Sequence, residues 1–265
     1  MASVASQPCA VCGKLTTLRC SKCVTAGHSL FFCSPAHQKI LWPSHKRICG
    51  PRSNPFQAPL LTEQECKHAL ATVHLPVPRD KNDRSLAMLL EQKFRVPPEH
   101  ARTAIEDVTK DAKTGRPSPP QAYAEQILSI VRVQRRAWLA ASGEPTLAER
   151  YDPFSALAGI DSALIQSVGN GTHEPFWQTL RHKFVIFMSL VQAAKADVPP
   201  PDFDIDWIRR AYNEIDPAVR KVMKPGEEWA VEVSQMSRGV MFRPDFHRFL
   251  RGETDVLPDG DIFTV

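Results

Sequence analysis

Over the last two thirds of the chain, apolar residues recur at three- and four-residue steps, the spacing that lines one face of a helix. Leu86, Leu89, Leu90 and Phe94 form one short face, and Ala101, Ala104, Ile105 and Val108 form another after Pro97-Pro98. Beyond the breaker Pro117-Ser118-Pro119-Pro120, a longer helix carries Tyr123, Ile127, Ile130, Val131 and Trp138 as a stripe, with Arg132, Arg135 and Arg136 towards its flank, and ends near Gly143. Asp152-Pro153 opens the next, which runs through Leu157, Ile160 and Leu164 to Gly169-Asn170-Gly171. The most regular run, 174–196, sets Trp177, Leu180, Phe184, Phe187, Met188 and Val191 on one stripe, with Arg181, His182 and Lys183 elsewhere. It reads as core; an exposed stripe of this kind would be a partner-binding seam. Pro199-Pro200-Pro201 stops it. Helices are then expected over 204–215 (Ile205, Ile208, Ala211, Tyr212) and 217–224, with helical pieces continuing towards Leu250. Residues 85–265 are therefore expected to form a mainly all-α domain.

The N-terminal part follows a different logic. Residues 1–8 are short and neutral and are expected to be disordered. Residues 50–84 read as a Pro-rich linker and loop with one helical turn, because the prolines of Pro51–Pro59 and His74-Leu75-Pro76-Val77-Pro78 remove backbone donors and fix extended conformations. No run of 18 apolar residues occurs and no signal peptide is readable, so an intracellular protein without a membrane span is expected, nucleus or cytoplasm undecided. A net charge of +4 with 23% charged residues names no nucleic-acid or acidic-membrane partner.

Cysteine usage does point somewhere. Six of the seven cysteines lie within the first 50 residues, interleaved with histidines, and only Cys66 stands apart. In a chain without an export signal that pattern favours metal over disulfides. Cys9-Ala10-Val11-Cys12 and Cys20-Ser21-Lys22-Cys23 are two knuckles in which a tight turn aims both sulfurs at one ion. Cys33 with His37, and His45 with Cys49, are pairs whose three-residue gaps put both side chains on one face of a helical turn. Four pairs make two tetrahedral sites; spacing alone allows them to be sequential or alternating. Phe31, Phe32, Ile40, Leu41 and Trp42 are expected to pack as a small apolar set around the ions.

These residues, with Gln38 after His37 and His45-Lys46-Arg47-Ile48-Cys49 closing the segment, resemble the MYND-type zinc finger. His37 stands where that family usually has cysteine, and imidazole is a normal zinc ligand of similar reach. The resemblance implies a small two-zinc cross-brace finger over 9–49, with Cys9, Cys12, Cys33 and His37 on one structural ion and Cys20, Cys23, His45 and Cys49 on the other. It also implies protein-interaction modules that dock short proline-containing peptides. Six Lys/Arg and no Asp/Glu leave the zinc-loaded finger near +4 by about the charge of two dications on six thiolates, but the cations are scattered among ligand loops and nucleic acid is not expected to be the partner.

Within the MYND group, a SET-type lysine methyltransferase is the enzymatic alternative. Only eight residues precede Cys9, the Asn-His-Ser-Cys type motif is missing, and Gly226-Glu227-Glu228 is followed by Trp229, so that triplet reads as a loop and helix start. No phosphate loop, Gly-x-Ser-x-Gly elbow or His-Glu-x2-His pair occurs, and His173, His182 and His247 stand singly. The expectation is a zinc-binding adaptor without catalytic activity. A divergent methyltransferase and a DNA-binding regulator are the alternatives; the identity of the partner, the oligomeric state and the role of residues 85–265 are not readable.

Overall fold

The computed structural model describes residues 5–25, 30–49, 58–78, 80–110, 121–143, 146–168 and 175–264. Residues 1–4, the linker prolines Pro51 and Pro55, the breaker Pro117–Pro120, Gly169–Gly171 and His173 lie outside the described residues, as do the side chains of Tyr123 and Leu164. The described residues fall into two compact units.

One unit spans residues 58–150 and 154–172. Its helices are α3 (Glu63–Thr72), α4 (Leu86–Phe94), α5 (Ala101–Lys110), α6 (Gln121–Ser142), α7 (Leu147–Arg150) and, from Phe154 onward, α8 (Pro153–Val168). The faces expected on α4 and α5 are buried together: Leu86, Leu89, Leu90, Ala101, Ile105 and Val108 share a core with Ile127, Ile130 and Val131 of α6. α3 is a departure from the expected loop over 50–84. Thr62 caps it, its hydroxyl accepting from the Glu65 amide at 3.2 Å, while the Glu65 carboxylate accepts from the Thr62 amide at 2.7 Å. That reciprocal box starts a three-turn helix whose Ala69 and the following Val73 enter the core.

Arg132 also departs from expectation. It is buried rather than flanking, 1% exposed, and its Nε donates to Glu65 Oε1 at 2.8 Å. Its Nη2 donates to the carbonyls of Pro59 at 2.8 Å and Leu60 at 3.2 Å. A cation can sit there because an anion and two carbonyls occupy its donors.

The other unit joins the N-terminal residues to the C-terminal helices: residues 1–57, 151–153 and 173–264. Residues 9–49 thus group with the C-terminal helices, and the helices expected over 85–265 are divided between two units. Here β1 (Gln7–Pro8) pairs antiparallel with β2 (Leu15–Thr16), so part of the stretch expected to be disordered is ordered by a strand partner. α1 (Ser21–Thr25) and α2 (Pro35–His45) follow, then α9 (Pro175–Ala194), α10 (Asp206–Asn213), α11 (Ile215–Val222), α12 (Trp229–Met241) and α13 (Pro244–Leu250).

α9 is the axis of this unit. Its stripe from Trp177 to Val191 is buried as core, and Ile186 and Leu190 on other faces are buried too. Each such side chain contributes roughly 1.5–3 kcal/mol when withdrawn from water. Arg181, expected off the stripe, is also buried, its guanidinium 4.9 Å from the Trp177 ring centroid. Phe184, Phe187, Phe242, Phe246 and Phe263 form an aromatic cluster that closes the far side, with ring centroids 5.1–6.5 Å apart in adjoining pairs. Gly226 takes φ +91 in the turn before α12, and the Glu227 carboxylate accepts from the Lys224 amide at 2.6 Å, the loop and helix start expected there.

Among the described residues of 85–265 no strand occurs beyond isolated bridges. No helix among the described residues is long and apolar enough to cross a membrane.

Candidate metal centre

The eight Cys/His residues singled out above come together in two groups of four. Cys9, Cys12, Cys33 and His37 form one, and Cys20, Cys23, His45 and Cys49 the other, with the ligand-type atoms of each group within 4.8 Å of one another. The grouping alternates along the chain, which spacing alone left open.

Local backbone explains the first group. The Cys9–Cys12 turn is closed by the Gly13 amide donating to the Cys9 carbonyl at 2.9 Å, and Gly13 takes φ +76, a conformation that favours glycine. The Ala10 amide donates to the Phe31 carbonyl at 2.9 Å and brings that turn beside Cys33. Ser34 caps α2, its hydroxyl accepting from the His37 amide at 3.2 Å, and Pro35 suits the first helical position. The cap therefore sets Cys33 and His37 one turn apart on the same side. Cys33 Sγ is 3.0 Å from His37 Nδ1, Cys9 Sγ is 3.5 Å from the same nitrogen, and Cys12 Sγ is 3.5 Å from Cys33 Sγ.

The second group uses the other end of the same helix. His45 lies eight residues after His37, about 12 Å along the axis at 1.5 Å per residue. The Cys20 amide donates to the Leu30 carbonyl at 3.0 Å, which ties the second knuckle to the strand-like stretch before Cys33. His45 Nε2 is 3.3 Å from Cys20 Sγ and 3.6 Å from Cys23 Sγ; Cys49 Sγ is 3.5 Å from Cys20 Sγ and 3.8 Å from Cys23 Sγ.

These separations, 3.0–3.8 Å, are close to the edges of a tetrahedron of ligands around one ion. Bonds of about 2.3 Å to sulfur and about 2.0 Å to nitrogen imply ligand-to-ligand edges of about 3.5–3.8 Å. Protonation fits as well. Burial, then the neighbouring Cys12 and Cys9 sulfurs, pushes the Cys33 thiol up to about 12, and burial with the Cys20 and Cys49 sulfurs raises Cys23 as well. Burial also raises Cys49 and opposes ionisation of Cys9, but backbone hydrogen bonds at Cys12, Cys33 and Val11 outweigh it and bring Cys9 down. Crowded sulfurs cannot all ionise unaided, whereas a dication takes every one as thiolate. Burial lowers His37 and His45, favouring the neutral imidazole that ligation needs.

The surroundings of the two sites were only partly anticipated. Phe32 and Leu41 are buried as expected, but Trp42, expected in the core, is 41% exposed, with its ring centroid 5.9 Å from that of His45. Leu15 and Leu18 are also exposed. The inner face of α2 has partners that the sequence did not announce. Ser44 accepts from Ser189 of α9 at 2.9 Å, Trp207 of α10 meets the His37 ring at 4.8 Å, and Arg210 of α10 donates to the carbonyl of Val11. No local motif marks these residues, because their role is set by helices about 150–200 positions away.

A model of the MYND finger family matches residues 9–49, the span that holds all eight residues. No curated protein and no solved structure matches the chain. Residues 9–49 are a MYND-type finger of two Cys3His sites, the kind that binds two zinc ions, and such fingers are generally protein-interaction modules.

Proposed function

We propose that this protein is a zinc-dependent adaptor without catalytic activity, whose finger docks a short peptide of a partner protein. The observation that carries the reading is that part of the finger packs against α9 and α10, while Trp42, Leu15 and Leu18 of the same finger stay exposed at 41%, 67% and 58%. Three large apolar side chains left in water on so small a module offer a partner apolar surface to bury. An exposed indole suits a proline-containing segment, whose extended backbone is already ordered before binding.

Each cluster supplies four ligands, so a zinc ion held there keeps no open position for water or substrate, which favours a structural role for both. The helical units then serve as scaffold or as a second contact.

The test is partner capture by full-length protein carrying Trp42→Ala and Leu18→Ser, with zinc content measured alongside. The expected result is loss of partner at two zinc per chain. Equal recovery by variant and wild type would overturn the docking role, and calorimetric binding of a methyl donor by the wild type would overturn the non-catalytic one.

A further inference from the structure

α10 packs against the first zinc cluster. Four observations converge on it. The Trp207 ring meets the His37 ring edge-on, centroids 4.8 Å apart at 73°, and Trp207 is itself steadied by Phe203 at 5.4 Å. Arg210, one turn further along α10, lays its guanidinium against the Cys9–Cys12 turn, donating to the carbonyl of Val11 and lying 3.5 Å from that of Ala10. Its side chain fills the space where a Cβ on Gly13 would stand, 3.3 Å from the Arg210 Cδ and Nε. Finally, Glu214 pairs with Arg210 and also with Lys183 of α9 at 3.0 Å, which fixes the arginine from behind.

The chemistry gives these contacts a purpose. The backbone at Val11 and Cys12 serves the Cys9 sulfur, and the Val11 carbonyl of the same turn finds its donor in Arg210. Three thiolates on a dication also leave a net negative charge beside which a guanidinium is favourable. Groups that orient a ligand from behind typically change metal affinity by about 10–100-fold.

We infer that Trp207 and Arg210 are positioning residues of the first zinc site, so that metal loading there and docking of α10 are one coupled equilibrium. The coupling is reciprocal: whatever α10 adds to zinc affinity at Cys9, Cys12, Cys33 and His37, zinc returns to the docking of α10. The contact seen at the second site among the described residues runs to a different helix, its helix turn leaning on Ser189 of α9.

This rests on the two-zinc reading of the finger and not on peptide docking. The experiment uses full-length, zinc-loaded protein titrated with a chelator, while thiol alkylation is followed cysteine by cysteine by mass spectrometry. Wild type, Trp207→Ala, Arg210→Met and the conservative Trp207→Phe and Arg210→Lys are compared. In Trp207→Ala and Arg210→Met, Cys9, Cys12 and Cys33 should become reactive at about 10–100-fold lower chelator concentration, Cys20, Cys23 and Cys49 should be unchanged, and the conservative variants should fall between. Conversely, Cys33→Ser should speed amide exchange in residues 207–213. If all six finger cysteines shift together, or none does, or Cys33→Ser leaves that exchange unchanged, the coupling is overturned. A wild type that holds fewer than two zinc ions would instead overturn the two-zinc reading itself.

Discussion

His37 enters its site through Nδ1, which is one bond further from its Cα than a cysteine sulfur would be; the shorter zinc–nitrogen bond offsets part of that reach. A small shift of the first turn of α2 therefore suffices to accept either residue. His37→Cys should keep two zinc ions per chain and turn one Cys3His site into a four-thiolate site. With cobalt as probe, sulfur-to-metal charge-transfer absorption from that site should rise by about a third, as three thiolates become four. A variant that holds one ion instead of two would show that the imidazole is required for more than its nitrogen, for example for its contact with Trp207.

At the scale of elements, Glu65 joins two tasks that are usually separate. It closes the capping box that starts α3, and it is the anion opposite buried Arg132 of α6, so one side chain fixes both the start of one helix and its register against another. Glu65→Ala should therefore cost about 3–5 kcal/mol by leaving a buried guanidinium unpaired, more than Thr62→Ala, which loses a cap worth about 1 kcal/mol. Adding Arg132→Met should recover most of the loss, because the expensive charge goes with its partner. Denaturant unfolding followed by helical circular dichroism measures all three, and a double variant as unstable as the sum of its parts would refute the account.

For the molecule, the two units depend on different forces. The core that gathers Leu90, Ile105 and Ile127 contains no metal ligand, whereas the finger is too small to hold an apolar core of its own and leans on zinc and on α9 and α10. Chelation should open amide exchange through residues 9–49 and the contacting turns of α9 and α10, while protection of α4, α5 and the middle of α6 persists; equal loss everywhere would contradict this.

Acid should act on the same assembly through Glu214. Burial alone would raise its carboxyl, but Lys183 and Arg210 hold it below the usual carboxylate range. The stability it lends is full above that range and is lost as pH falls through the depressed value. Glu214→Gln should lack that part of the pH dependence in near-ultraviolet circular dichroism, and an acid profile identical to wild type would exclude the role.

What the sequence determined by itself was local. Zinc ligation needs particular atoms at short spacing, so the eight ligand-type residues and the two knuckles were legible, and helical periodicity gave the stripes of α4, α5 and α9. What only the tertiary structure decided is long-range. Exposure of Trp42 and burial of Arg132 depend on which surfaces meet, and periodicity says nothing of that. α3 was hidden because the prolines on either side of it mark linker and loop, although Thr62 and Glu65 close a capping box between them. The alternation of the two sites came from resemblance and could not come from spacing, since either pairing satisfies four ligands per ion. The cover of the finger by Trp207, Arg210 and Ser189 was beyond reach of any motif, because contacts between residues about 150–200 positions apart are fixed by the packing of α9 and α10 and leave no pattern along the chain.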